Sequence, residues 1–191
     1  MTENVSSIIR AANYHLRNIG RIRPFLTEQA CKTAIQTMVV SRLDYCASLL
    51  SGITNHQLSR LQRLQNRAAR VVTATSPTMH ITPVLEDLHW LPVHLRVEFR
   101  LLVFVYKCLN SLAPVYLAEL LLHYTPRRQL RSSNDTTALV STKPKKKVGN
   151  FSFCLYAPGL WNALPSAIRS SQSLPIFKKS LKTHLFRLHY R

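Results

Sequence analysis

Between Asn55 and Thr73 two sets of side chains repeat at helical steps on different positions of the same segment. Leu58, Leu61, Leu64, Ala68 and Val71 follow steps of three, three, four and three, and Arg60, Arg63, Arg67 and Arg70 follow steps of three, four and three. Residues three and four apart share one side of a helix, so the segment reads as a helix with an apolar face and, about a third of a turn away, an arginine face. The apolar face requires other helices to pack against. The arginine face requires an anion, a partner surface or water.

Partner helices are legible on both sides. Ile9, Ala12, Leu16 and Ile19 recur at helical steps with Arg10, Arg17 and Arg21 outside the stripe, and Gly20 is placed to close that helix. Thr27 is a good N-cap with Glu28 near the positive end of the dipole, opening a helix through Ala34 and Met38 toward Leu50, with Gly52 ending it. Thr54 or Asn55 then caps the arginine-striped helix, so these two helices should form an antiparallel hairpin. Thr82-Pro83 marks a short helix with Glu86 and Asp87 near its first turn. Pro92 opens the cleanest amphipathic pattern of the chain, Leu95, Phe99, Leu102, Tyr106 and Leu109, which Asn110 can end before Pro114 starts another turn or two.

Composition changes at Tyr124. Residues 125–150 contain Arg127, Arg128, Arg131 and Lys143 to Lys147, with Ser, Thr and Asn between them and little periodicity, which describes an exposed linker or loop. Beyond it Phe151, Phe153, Leu155, Leu160 and Trp161 restore an apolar segment. Leu174, Phe177, Leu181 and Leu185 then form a last helix faced by Lys178, Lys179, Lys182 and Arg187.

The charge balance decides which partner classes are worth considering. The 191 residues hold 26 Lys and Arg against 8 Asp and Glu, a formal net charge of +18, although charged residues make up only 18% of the chain. The imbalance therefore comes mainly from missing carboxylates, and a phosphate backbone is the natural partner of such a surface. No acidic residue lies between Asp44 and Glu86 to neutralise the arginine stripe. Contact with nucleic-acid phosphates is the leading reading; a solvated face and an acidic protein surface are the alternatives. Phosphate contacts of this kind position a duplex without reading its sequence.

Catalytic and metal chemistry have little material. Asp44, Asp87 and Asp135 are the only aspartates, and none belongs to a paired-aspartate turn suited to a two-metal site. The glycines Gly20, Gly52, Gly149 and Gly159 are isolated, unlike those of a phosphate loop. Cys31, Cys46, Cys108 and Cys154 are scattered, and neither His80 with His89 nor His184 with His189 has the spacing of two ligands on one helix face. Reduced, packed thiols are expected, with no metal, no cofactor and no catalytic residue. No apolar run approaches the length of a membrane span, and Met1 to Gly20 lacks the unbroken apolar stretch of a secretory signal. An intracellular protein is expected, the nucleus ahead of the cytoplasm, because Pro144-Lys145-Lys146-Lys147-Val148 has the form of an import signal. The same lysines can instead meet a nucleic-acid backbone or remain in solvent. Leu88-His89-Trp90-Leu91-Pro92 and Leu160-Trp161-Asn162-Ala163-Leu164-Pro165 describe helix ends anchored by buried rings, with base stacking on an exposed Trp90 as the alternative.

In order, the boxes Arg42-Leu43-Asp44-Tyr45-Cys46, Leu61 to Arg70, the two tryptophan boxes and Phe177 to Phe186 resemble the C-terminal region of a LINE-type, jockey-like non-LTR retrotransposon reverse transcriptase. The resemblance covers nearly the whole chain. It implies the thumb and post-thumb part of an RNA-directed DNA polymerase, which holds template and primer, with no counterpart of the fingers, the palm with its Tyr-x-Asp-Asp box or the endonuclease. A chain of this kind should not polymerise or nick DNA alone.

The resulting expectation is a mainly α protein. Residues 1–124 form a helical thumb-like unit, 125–150 a basic flexible loop, and 151–191 a basic C-terminal helical extension. It would bind RNA or an RNA/DNA hybrid, or duplex DNA, without catalysis, through Arg60, Arg63, Arg67 and Arg70. Lys145, Lys146, Lys147, Lys178, Lys179 and Lys182 would form a second patch. The alternative is a helical module that docks on a catalytic reverse transcriptase or another protein partner, or an inactive fragment.

Overall fold

The computed structural model describes residues 2–45, 47–124, 137–141 and 153–190. It is mainly helical, as the periodicity requires. The chain forms two compact units, Met1–Val97 with Tyr190 and Glu98–His189 with Arg191, which part inside one helix.

The first unit is built on α1 (Thr2–Ile22), a helical arm of α2 (Glu28–Ile35), a π-helical turn (Gln36–Val40) and α3 (Ser41–Asp44), and then α4 (Asn55–Thr73). Thr27 caps α2 by accepting the Ala30 amide at 3.2 Å, and Thr54 caps α4 by accepting the Gln57 amide. Direction follows from side-chain pairing. Arg60 meets Ser6 and Arg67 meets Asn13, both 54 residues apart in sequence, so α1 and α4 run side by side in the same sense. Cys31, early in α2, lies 3.7 Å from the carbonyl of Val71, late in α4, so α2 runs opposite to α4 as the expected hairpin does. Val5, Ala12, Leu16 and Ile19 of α1, Cys31, Ile35 and Val39 of the arm, and Leu61, Leu64, Ala68 and Val72 of α4 form one buried core.

Several local expectations are corrected. Gly20 does not end α1; the helix continues to Ile22 and stops before Pro24, which follows in a 3-10 turn (Arg23–Phe25). The second helical arm stops at Asp44 rather than near Leu50, and a separate 3-10 turn (Ala47–Gly52) leads to α4. The buried face of α4 is rotated toward Gln65, Ala69 and Val72, leaving Leu58 and Val71 half-buried. In α5 (Ile81–Asp87) the N-cap is His80, whose Nδ1 accepts the Thr82 amide, and Glu86 and Asp87 fall at the C-terminal end. There they oppose the helix dipole instead of serving it.

Trp90 is buried, so base stacking on its exposed ring is excluded. Its neighbours are held by the glutamines of α4. Gln65, fully buried, donates from Nε2 to the Leu91 carbonyl at 2.8 Å, and Gln62 Oε1 accepts the Val93 amide at 2.9 Å. That amide opens α6 (Val93–Leu109), with Pro92 preceding it as expected. Arg96 Nη2 donates to Asp44 Oδ2 at 2.8 Å and its Nε to Oδ1 at 3.1 Å, a bidentate ion pair that ties α6 to the end of α3.

In the second unit, α7 (Val115–Ala118) precedes residues 122–124, which pair antiparallel with 138–140: Tyr124 N donates to Ala138 O and Val140 N to Leu122 O. The second tryptophan box holds this pairing from α8 (Phe153–Asn162). Trp161 Nε1 donates to Thr137 O at 2.8 Å, and the Asn162 amide both accepts from Leu139 N and donates to Leu139 O. After α9 (Ser166–Arg169), α10 (Leu174–Tyr190) buries Phe177, Leu181 and Leu185. Phe177 stacks on Tyr106 with ring centroids 4.4 Å apart, and Tyr106 Oη donates to Ser171 O at 2.8 Å.

Candidate nucleic-acid interface

The arginine stripe lies beside α1. Arg60 and Arg67 sit about a quarter to a third of a turn from the face of α4 that buries Leu61, Leu64, Ala68 and Val72, where they meet Ser6 and Asn13 of α1, which supplies the opposite wall, and Arg63 and Arg70 lie further round the helix. From Arg60 to Arg70 the four arginines span about 15 Å at the helical rise. Arg63 and Arg67 are exposed, while Arg60 and Arg70 are half-buried.

Every hydrogen bond these guanidiniums make among the described residues goes to a neutral acceptor. Arg60 donates to Gln57 Oε1 at 2.8 Å and to Ser6 Oγ at 3.2 Å. Arg63 Nε donates to its own helix at Ser59 O, 3.3 Å, and Arg67 Nη1 to Asn13 Oδ1 at 3.1 Å. Arg70 Nη2 donates to Met79 O at 3.1 Å, and its buried Nε finds no acceptor among the described residues. The nearest upstream carboxylate, Asp44, is engaged by Arg96. Like charges three and four residues apart weaken an isolated helix by roughly 0.2–0.5 kcal/mol per pair, so the stripe carries a standing repulsion that an anion would relieve.

Two concavities open along the α1–α4 seam and share Arg67. One, of about 390 Å³, is lined by Ile9, Asn13, His56, Arg60, Arg63, Leu64 and Arg67. The other, of about 460 Å³, is lined by Leu16, Arg17, Arg67, Arg70, Val71, Thr75 and Pro77. Neither lining contains a carboxylate. Reading the sequence located the four arginines but missed Asn13, Arg17 and His56 as members of the same groove. Arg17 was visible as a basic residue off the apolar stripe of α1; its partnership with Arg67 depends on α1 and α4 running parallel, which no local pattern encodes.

Lys178, Lys179 and Lys182 are exposed on α10 of the second unit, and Lys145, Lys146 and Lys147 lie outside the described residues.

The α4 helix is anchored at its C-terminus by a residue from outside the stripe. Arg23 Nε donates to Val71 O at 2.8 Å, Nη2 to Val72 O at 2.9 Å and Nη1 to Leu26 O at 3.0 Å. A cation on the last carbonyls complements the helix dipole and fixes the turn that presents Arg67 and Arg70. Beside it, burial pushes the Cys31 thiol above its ordinary value, the Arg23 charge pulls it back, and Glu28 pushes it up further.

Among the described residues no helix is long and apolar enough to cross a membrane, and no three His, Cys, Asp or Glu side chains gather as a metal site. In comparisons with known proteins, no family model matches the chain, and no curated protein or solved structure matches it.

Proposed function

We propose that this protein binds nucleic acid without catalysis, holding RNA or an RNA/DNA hybrid through backbone phosphates in the α1–α4 groove. The observation that carries this reading is the arginine row: Arg60, Arg63, Arg67 and Arg70 line a concave seam, and among the described residues their hydrogen-bond acceptors are all neutral. Such a seam attracts phosphate and offers several guanidinium N–H donors to each phosphate oxygen. The resemblance to the thumb region of a LINE-type reverse transcriptase rests on the sequence boxes alone and agrees with this role; polymerisation would belong to a palm that these boxes do not include. Lys178, Lys179 and Lys182 are proposed as a separate backbone-contacting set.

The test is fluorescence anisotropy of a short labelled RNA/DNA hybrid titrated with the purified protein and with a variant carrying Arg60, Arg63, Arg67 and Arg70 all changed to Ala. Binding that the variant loses supports the reading. Binding that the variant keeps in full removes the stripe from the function.

A second reading has its own observation. Leu112, Val115, Tyr116, Leu120 and Leu122 are all exposed within one short stretch of the second unit. Exposed apolar clusters of this kind mark protein contacts. If a protein partner is the ligand, changing Val115 and Tyr116 to Ser should abolish that association while leaving nucleic-acid binding unchanged.

A further inference from the structure

The two concavities of the α1–α4 seam differ in chemistry, and the difference bears on what form of nucleic acid fits. Around His56 the wall is mixed, with Asn13, Arg60, Arg63 and Arg67 beside Ile9 and Leu64. Toward the α4–α5 connection, Leu16, Val71 and Pro77 give an apolar surface, edged by Arg17, Arg67 and Arg70. Arg67 belongs to both, so a ligand contacting its guanidinium is adjacent to each compartment. The apolar compartment, an open concavity of about 460 Å³, falls within the size range of small-molecule clefts.

Building on the phosphate-binding reading above, we propose that the groove takes a single strand, with one unstacked nucleobase in the Leu16, Val71 and Pro77 compartment and its flanking phosphates on Arg67 and on Arg60 with Arg63. A paired base inside a duplex cannot enter, because its faces are covered by its neighbours in the stack and its edge by its complement. A single-stranded base has both faces free, and arginines at the edge can lie over a ring that apolar side chains support from below. Arg70 is oriented for this by its bond to Met79 O, and the αL turn at Ala74, with φ of 52°, turns the chain so that Thr75 and Pro77 close the end of the compartment. The seam thereby separates the two parts of a nucleotide: phosphate toward the His56 end, base toward the Pro77 end. Contact with an apolar compartment is largely independent of base identity, so the preference is for strandedness rather than for sequence.

The test compares three labelled oligonucleotides of one length at one salt concentration: a single strand, the same strand in a duplex, and the same strand with its bases removed at successive interior positions. The single strand should bind about tenfold tighter than the duplex, and the abasic strand should fall to the duplex level. Thr75→Trp, which fills the apolar compartment, should likewise reduce single-strand binding to the duplex level. Equal binding of intact and abasic strands overturns the base compartment, even where the quadruple arginine variant loses all binding and so upholds the phosphate reading. If none of the oligonucleotides binds, both readings fall together.

Discussion

Removing the Arg23 side chain is the sharpest structural perturbation available without touching the groove. Its guanidinium makes three hydrogen bonds to main-chain carbonyls, two of them successive carbonyls at the end of α4. Hydrogen bonds to a charged group contribute about 1.5–3 kcal/mol each when sequestered. Arg23 is half-buried, however, and the carbonyls it releases can accept water, so the set together is worth about 2 kcal/mol rather than the sum. For a chain of this size that lowers the thermal midpoint by about 4–8 °C. Arg23→Lys should recover less than half of the loss, because an ammonium lacks the planar fork that spans two carbonyls. A second readout is the Cys31 thiol itself, which without the Arg23 charge should ionise at still higher pH. Thermal and urea unfolding followed by far-UV circular dichroism measure the first effect, and the ultraviolet absorbance of the thiolate against pH the second. An Arg23→Ala protein with unchanged midpoint, or full rescue by lysine, would refute the proposed anchoring of α4.

Three further outcomes follow from the same geometry. Gly20 sits inside α1 with nothing within 4 Å of an added Cβ, so Gly20→Ala should stabilise by about 0.5–1 kcal/mol, and a lowered urea midpoint would contradict the helical placement. Gln65→Leu keeps the side-chain volume but strips the Leu91 carbonyl of its donor, and should destabilise by about 1–3 kcal/mol in urea unfolding, with no loss counting against the buried glutamine bond. Burial pushes the Glu98 carboxyl above its ordinary 4.5. The folded state then holds this proton more tightly than the unfolded chain, so the contribution is complete below 4.5 and is lost as pH rises through the folded value. Glu98→Gln should therefore be more stable than the parent at neutral pH, with the gap closing below pH 4.5; a gap that stays constant with pH would contradict the burial of that carboxyl.

What the sequence disclosed and what it hid divide along physical lines. Thr27 and Thr54 announce their helices because a cap is a local interaction between a hydroxyl and an amide three residues on. Helix ends are harder to read, because glycine is the usual local marker and, among the described residues, the left-handed positions fall on Ala74, His89 and Ser111. At His89 the imidazole Nδ1 lies 2.8 Å from Glu86 O, one local contact of a polar side chain in that conformation. Gly20 meanwhile stands in a helix that continues past it until Pro24 intervenes. The arginine row was legible as periodicity, but its depth was not: the second wall comes from α1, and its register with α4 is fixed by Ser6 with Arg60 and Asn13 with Arg67. Gln65 was hidden for a related reason, because a buried amide becomes reasonable only once the Leu91 carbonyl is known to face it. The expected loop at residues 125–150 falls mostly outside the described residues, and the two compact units part within α6.

The central claim, that the α4 arginines hold a phosphate backbone, is tested most directly by the salt dependence of binding. Affinity for one duplex is measured over a range of salt for the parent protein and for the protein with Arg60, Arg63, Arg67 and Arg70 all changed to Ala. Each phosphate contact contributes about 0.9 to the slope of log affinity against log salt, so four contacts predict slopes that differ by about 3.6. Parallel lines for the two proteins would mean that these four guanidiniums displace no counterions from the nucleic acid, and the proposed interface would be wrong.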